Sequence, residues 1–233
     1  KDHDNTQTLI ARWPAAKPSG KKPILLMAHM DVVEAKASDW KNPPFQFREE
    51  GGYYLGRGAS DNKAALTGIV LALQYLHAEK FEPTRDIIVL FTGDEETTGN
   101  GARRAATEWR SLIDAEYALN GDAGGGSVYP DGRPELFAMQ IAEKTYADFK
   151  LTATNRGGHS SAPRPDNAIY ALSNALAALE KHRFPPMVND ATRASYAMLA
   201  KKDSGQYGEL VKRFLANPQD REAADLLEAI DPG

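Results

Sequence analysis

Five short stretches carry the residues able to do chemistry. His29 and Asp31 close the apolar run in ILLMAHMDVV, and Asp61 lies in GRGASDNK. Glu95 and Glu96 end IIVLFTGDEETTG, Asp122 follows YALNG ahead of three glycines, and His159 lies in GGHSSAP. Apolar runs of this kind read as buried strands, and strand ends in an open α/β sheet line the crevice where ligands sit. One imidazole and several carboxylates, delivered to a common edge by separate strand or helix junctions, are the donor set of a two-metal hydrolytic centre. The chain contains no cysteine. Disulfides and thiolate sites are thereby ruled out, and only His and carboxylate remain to hold a metal. That favours zinc, manganese or cobalt at a hydrolytic centre over a structural zinc site.

Each of these residues also has a plainer reading. Residues i and i+2 of a strand face one side, so Asp31 is placed to accept from the second ring nitrogen of a metal-bound His29 or to orient it through a short turn. A satisfied polar pair at a strand end would look the same. Asp61, or Ser60 beside it, stands where a helix N-cap belongs. A phosphate loop is excluded there, because neither G-x-x-x-x-G-K-[ST] nor G-x-G-x-x-G occurs. Adjacent carboxylates such as Glu95 and Glu96 repel and usually sit in water. These two directly follow a buried run, where a cation would relieve the repulsion and leave one of them free as a base. Asp122 reads plainly as a turn aspartate and His159 as a loop histidine. Jointly the plain readings weaken, because one pattern recurs: apolar run, glycine, then His or acid. His77 and His182 lack that context and read as helix surface, and His3 reads as part of the terminus.

The elements that position these residues follow from periodicity. Residues 8–13 and 23–28 read as strands, residues 34–52 as irregular, and 62–78 as a helix with Ala65, Leu66, Ile69, Val70, Leu73 and Leu76 at helical spacing. Residues 87–92 read as a buried parallel strand, 101–111 as a helix and 115–119 as another strand. This alternation predicts an α/β fold with a mostly parallel sheet flanked by helices. After Pro134 the character changes. Residues 137–141 and 147–154 resemble antiparallel strands, 169–182 an amphipathic helix, and 192–231 polar helix interrupted by Pro218. A boundary near residue 143 divides a catalytic part, 1–142, from a second α+β part, 143–233.

Composition limits the functional classes. The 233 residues are 42% hydrophobic and 26% charged with net charge -4, which suits a soluble globular protein without a basic nucleic-acid footprint. No apolar run approaches the roughly 20 residues that span a bilayer. KDHDNTQT at the start carries no apolar signal core, and both cytoplasmic and exported locations stay open.

The motifs HMDVV, PPF…GRGASDNK, GDEETTG, NGDAG and GGHSSAP, in this order over residues 24 to about 170, resemble one family. It is the dizinc peptidases that include glutamate carboxypeptidase, aminoacylase, acetylornithine deacetylase and succinyl-diaminopimelate desuccinylase. The resemblance implies two zinc ions, with cobalt or manganese as substitutes. It implies His29 and Asp122 as ligands of one zinc, Asp61 as the bridging carboxylate and Glu96 as a ligand of the other. Asp31 becomes the partner that orients His29, and Glu95 the general base. It makes 143–233 a lid and dimerisation domain whose His159 reaches the neighbouring subunit's site, within a homodimer. The implied reaction is hydrolysis of an amide or peptide bond next to a free carboxylate. Small peptides and N-acyl amino acids are the substrates, and a non-catalytic binding protein on the same fold is the rival. Arg164 is a candidate carboxylate clamp. The family's further His ligand follows the return of the chain from the lid, and no candidate for it precedes Gly233. The sequence therefore reads as a fragment with an incomplete lid.

Overall fold

The computed structural model of the chain describes residues 1–143 and 145–230. They divide into two compact units, Lys1–Gln140 and Ile141–Gly233.

A short ladder of β1 (Asp2–His3) and β2 (Thr6–Gln7) opens the first unit and leads to β3 (Leu9–Trp13) and β4 (Ile24–His29). The hairpin β5 (Arg48–Glu50) and β6 (Tyr53–Leu55) precedes α1 (Lys63–Ala78). Then come β7 (Ile87–Thr92), α2 (Asn100–Ala106), α3 (Arg110–Ile113) and β8 (Tyr117–Asn120). A hairpin of β9 (Gly125–Val128) and β10 (Pro134–Ala138) closes the unit.

The central sheet has the order β3-β7-β4-β8. Strands β7, β4 and β8 run parallel, and β3 is an antiparallel edge. The β-branched run of β7 is buried on both faces, as a strand covered from two sides requires. Ile88 and Leu90 meet Leu25, Ala105 and Trp109 beneath α2 and α3, while Val89 and Phe91 meet Ala28, Leu66 and Leu73 beneath α1. The architecture is thus a mixed, mostly parallel sheet between helical layers.

Register decides where the chemistry falls. Ile24 pairs with Ile87 and His29 with Thr92, so the chain after His29 emerges beside the chain after Thr92. On the other side Met27 pairs with Asn120. His29 and Asp122, each two residues further on, then leave the sheet at one level.

Several expected boundaries shift. The helix expected over 101–111 is broken, because Trp109 donates its amide to Arg104 and turns the chain so that its ring packs into the core. Within residues 34–52, expected to be irregular, Gly51 and Gly52 form a two-residue hairpin turn with φ of 61° and 82° between two three-residue strands. Positive φ at both central positions matches the twist of a hairpin and favours glycine. The expected strand at 137–141 forms at Pro134–Ala138 and pairs with Gly125–Val128, not with 147–154. Residues 147–154 form no ladder among the described residues, because a strand exists only where a neighbour takes its backbone bonds; Phe149 there is 85% exposed.

The second unit contains α4 (Ala168–Glu180), α5 (Asp190–Lys202), α6 (Gln206–Ala216) and α7 (Arg221–Ile230). Asn167 and Asn189 cap α4 and α5 by accepting the amides of Ile169 and Thr192. Ala200, Val211, Phe214, Ala223 and Leu227 form a core between α5, α6 and α7. No helix among the described residues is long and apolar enough to cross a membrane.

Ile88 is fully buried at the middle of the central sheet. Ile88→Ala is expected to lower stability by about 2–5 kcal/mol, because it removes buried methylenes and leaves a cavity. Urea denaturation of the two proteins checks this.

Candidate metal centre

His29 ends β4 and is 2% exposed. Four carboxylates lie within 4.0 Å of its ring nitrogens. Nε2 stands 2.9 Å from Asp61, 3.4 Å from Asp122 and 4.0 Å from Glu95, and Nδ1 stands 3.4 Å from Asp31. Two triads share this imidazole: His29 with Asp61 and Glu96, and His29 with Glu95 and Asp122. Within each triad the ligand atoms lie within 4.8 Å of one another. Among the described residues no lysine or arginine pairs with these carboxylates.

The carboxylates arrive by different routes. Asp61 precedes α1, joined by a cis peptide to Asn62. Asn62, not Asp61 or Ser60, is the N-cap residue of α1. That removes helix capping as the explanation of Asp61, whose carboxylate faces His29 instead. Glu95 and Glu96 follow β7 in a turn organised by Asp94, which is 3% exposed. The Asp94 carboxylate accepts the Gly101 amide and the Thr98 hydroxyl, and its carbonyl accepts the amides of Thr97, Thr98 and Gly99. Asp122 follows β8 after Gly121, where an added Cβ would lie 2.6 Å from Cβ of Ala65. Only glycine lets β8 end this close to the first turn of α1.

Asp31 meets His29 chiefly through its backbone. His29 Nδ1 contacts the backbone carbonyl of Asp31 at 3.1 Å, closer than its carboxylate. The carboxylate accepts the backbone amides of Glu95 at 3.1 Å and Glu96 at 2.9 Å. It therefore fixes the glutamate loop, while its carbonyl orients the imidazole.

Burial alone would lower the pKa of His29. Asp122, the hydrogen bond that His29 donates to Asp61, Glu95 and Asp31 together outweigh burial and hold it above the ordinary imidazole value. Burial raises the Glu95 carboxyl, with Asp122, Glu96 and Asp31 adding to the rise and His29 opposing it. This excess of negative charge around one nitrogen donor, without sulfur, fits divalent cations that accept oxygen and imidazole ligands.

His159 belongs to the second unit. Its Nδ1 accepts the Ser161 amide at 3.2 Å and lies 2.8 Å from the Ser161 hydroxyl. An accepting Nδ1 leaves the proton of the neutral ring on Nε2, which becomes a donor. Arg164, a candidate clamp in the sequence, makes a bidentate pair with Asp166, both contacts at 2.7 Å.

Three residues escaped the sequence reading. Asn62 is 1% exposed and donates to Asp122, Asp94 organises the glutamate turn, and His3 is buried against Thr8 rather than lying loose at the terminus. Asn62 and Asp94 adjoin recognised residues, and that adjacency was the available signal.

One imidazole and five carboxylates thus gather at one edge of an α/β sheet. The family model described as Peptidase family M20/M25/M40 matches residues 25–218. The N-fatty-acyl-amino acid synthase/hydrolase PM20D1.1 of Danio rerio is 34% identical over 194 residues, covering 81% of this chain and 38% of that protein. Carboxypeptidase S of Saccharomyces cerevisiae is 33% identical over 182 residues, covering 74% of this chain and 31% of that protein. The M20 family metallo-carboxypeptidase Sso-CP2 of Sulfolobus solfataricus has a similar fold, with a TM-score of 0.54 and 21% identity over 96% of this chain and 52% of that one. The chain belongs to peptidase family M20/M25/M40 and spans about a third of the length of these curated relatives.

A metal ion needs the unprotonated imidazole, so it competes with the proton that the carboxylates hold on His29. In the metal-free protein the imidazolium–carboxylate attraction is fully present below the unfolded pKa and is lost as pH rises through the raised folded one. Zinc uptake is therefore expected to release protons, and zinc affinity to fall about tenfold per pH unit below the pKa of His29. Calorimetry in buffers of different ionisation enthalpy measures both.

Proposed function

We propose that the intact protein is a metal-dependent hydrolase that cleaves an amide or peptide bond next to a free carboxylate in a small substrate. The observation that carries this reading is the convergence of His29, Asp61, Glu95, Glu96 and Asp122 at one sheet edge. His29 and Asp122 would hold one ion, Glu96 the other, and Asp61 both. Two divalent ions held there supply Lewis acidity toward the scissile carbonyl and lower the pKa of water.

The rest of the chemistry belongs to the chain. Glu95, whose carboxyl burial, and then Asp122, Glu96 and Asp31, make more basic than usual, takes the proton of the attacking water and passes it to the leaving amine. Asp31 keeps Glu95 and Glu96 in place through their amides. His159, with its proton held on Nε2 by Ser161, donates to the oxygen on which negative charge develops. The names of the relatives support both branches of the substrate class: peptides with a free C-terminus, and N-acyl amino acids. In both, the broken bond is an amide and a carboxylate lies beside it.

Glu95→Gln keeps the shape of the side chain and removes the base. Hydrolysis is expected to fall by at least about a hundredfold while bound zinc is retained. A panel of dipeptides against N-acyl amino acids, with zinc measured on the same samples, tests the assignment and separates the two substrate branches. Zinc binding without cleavage of either substrate class would favour a non-catalytic binding protein.

A homodimer through the second unit, with His159 serving the partner's site, belongs to the same reading. Mixing the inactive Glu95→Gln and His159→Ala proteins is then expected to restore part of the activity, because one mixed site regains both groups. A monomer by light scattering, or no recovery on mixing, would place His159 within its own subunit's chemistry or outside it.

A further inference from the structure

Asn62 holds the N-cap position of α1. There an asparagine side chain ordinarily accepts an amide of the first turn and stabilises the helix. Asn62 makes no such bond. Its side chain is turned inward, 1% exposed, and Nδ2 donates to Oδ1 of Asp122 at 3.0 Å. That same oxygen lies 3.4 Å from Nε2 of His29. The bond joins the start of α1 to the end of β8. These meet because Gly121 offers no side chain to Ala65 and because the Gly121 amide is tied to the carbonyl of Met27 at 3.0 Å.

We propose that Asn62 is a positioning residue for Asp122: its amide holds the Asp122 carboxylate beside His29 as a metal ligand, at the expense of capping α1. The proposal rests on the metal-centre reading given above. The chemistry explains the residue type. A carboxylate ligand free to rotate must be ordered when an ion binds, whereas a buried donor on Oδ1 orders it beforehand. The donor must also be neutral in this place. An aspartate of the same shape would set another carboxylate against Asp122 in a cluster already crowded with negative charge. A lysine would compete with the ion for the same oxygens.

The test uses the intact protein with zinc and with cobalt(II). Asn62→Asp is isosteric and removes the donor, Asn62→Ala removes the side chain, and Asn62→Ser keeps a donor on a shorter arm. Affinity for one of the two ions is expected to fall about 10–100-fold in Asn62→Asp and Asn62→Ala, with the other ion retained. The cobalt visible spectrum is expected to change, and Asn62→Ser to keep more affinity than Asn62→Ala. Melting in EDTA reports folding separately from metal binding, and the Ser–Ala comparison stands even where Asn62→Asp fails to fold. Wild-type affinity and an unchanged cobalt spectrum in Asn62→Ala, or equal losses in Ser and Ala variants, would reduce Asn62 to a packing residue and overturn the proposal. A wild-type protein that binds neither zinc nor cobalt would overturn the metal-centre reading itself, and this proposal with it.

Discussion

A buried imidazole with four carboxylates within 4.0 Å is the interaction on which the remainder of the first unit depends. One imidazolium offsets one negative charge at most. Like charges brought together where solvent is partly excluded repel more strongly than in water. The protein disperses part of the excess in two ways. Asp61 and Glu95 keep 62% and 46% of their side chains open to solvent, whose dielectric screens them. Asp31 and Asp122, the less exposed carboxylates, each receive neutral donors: two backbone amides for Asp31 and the Asn62 amide for Asp122. Neither device brings in a compensating positive charge. A structural cluster would be expected to recruit a lysine or arginine, whereas a cluster that leaves the positive charge to come from elsewhere is shaped for cations.

Holding such a cluster requires a stiff support, and the sheet provides it through register. His29 beside Thr92, and Met27 beside Asn120, place three chain segments at one level with backbone hydrogen bonds that cannot slip without turning every side chain to the wrong face. The glutamate turn is then secured from outside the sheet. Thr6 donates its hydroxyl to the carbonyl of Gly93, Asp94 gathers the amides that follow, and Asp31 takes those of Glu95 and Glu96. A loop bonded at its start, middle and end has little freedom. Two adjacent glutamates can then be directed to different tasks without mutual repulsion driving them apart.

The sequence made the sheet and the charged residues legible for one reason: both are written in local patterns. The run Ile87–Thr92 is apolar throughout because it is buried on both faces, and the acids directly after such runs are conspicuous. Burial of a polar residue is not written locally. Asn62 follows Asp61 in a helix-start motif, and nothing in SDNK tells whether its amide caps the helix or crosses to β8. His3 lies in a polar terminal stretch, yet the short β1–β2 ladder folds it against Thr8 and Trp109. The Gly51–Gly52 pair shows the same limit from the other side. Two glycines break a regular element or join two strands, depending on whether the flanking segments find each other.

The second unit separates local from non-local information further. Residues 169–182 and 147–154 both carry clear periodicity, yet among the described residues the first region forms a helix and the second forms no ladder. A helix satisfies its amides within itself, and Asn167 supplies the cap that starts α4, so the local pattern suffices. A strand satisfies its amides only through a neighbour, so its alternation describes a pairing and not the segment alone. The exposed Phe149 and Leu151, and the exposed Ile169, Tyr170, Leu176 and Leu179 of α4, mark the same distinction at the level of side chains. Helix formation and burial of an apolar face are separate events, the first set by the segment and the second by what packs against it. Apolar periodicity over 147–154 and 169–182 is thus information about contacts that lie outside those segments, even though it is carried by the residues within them.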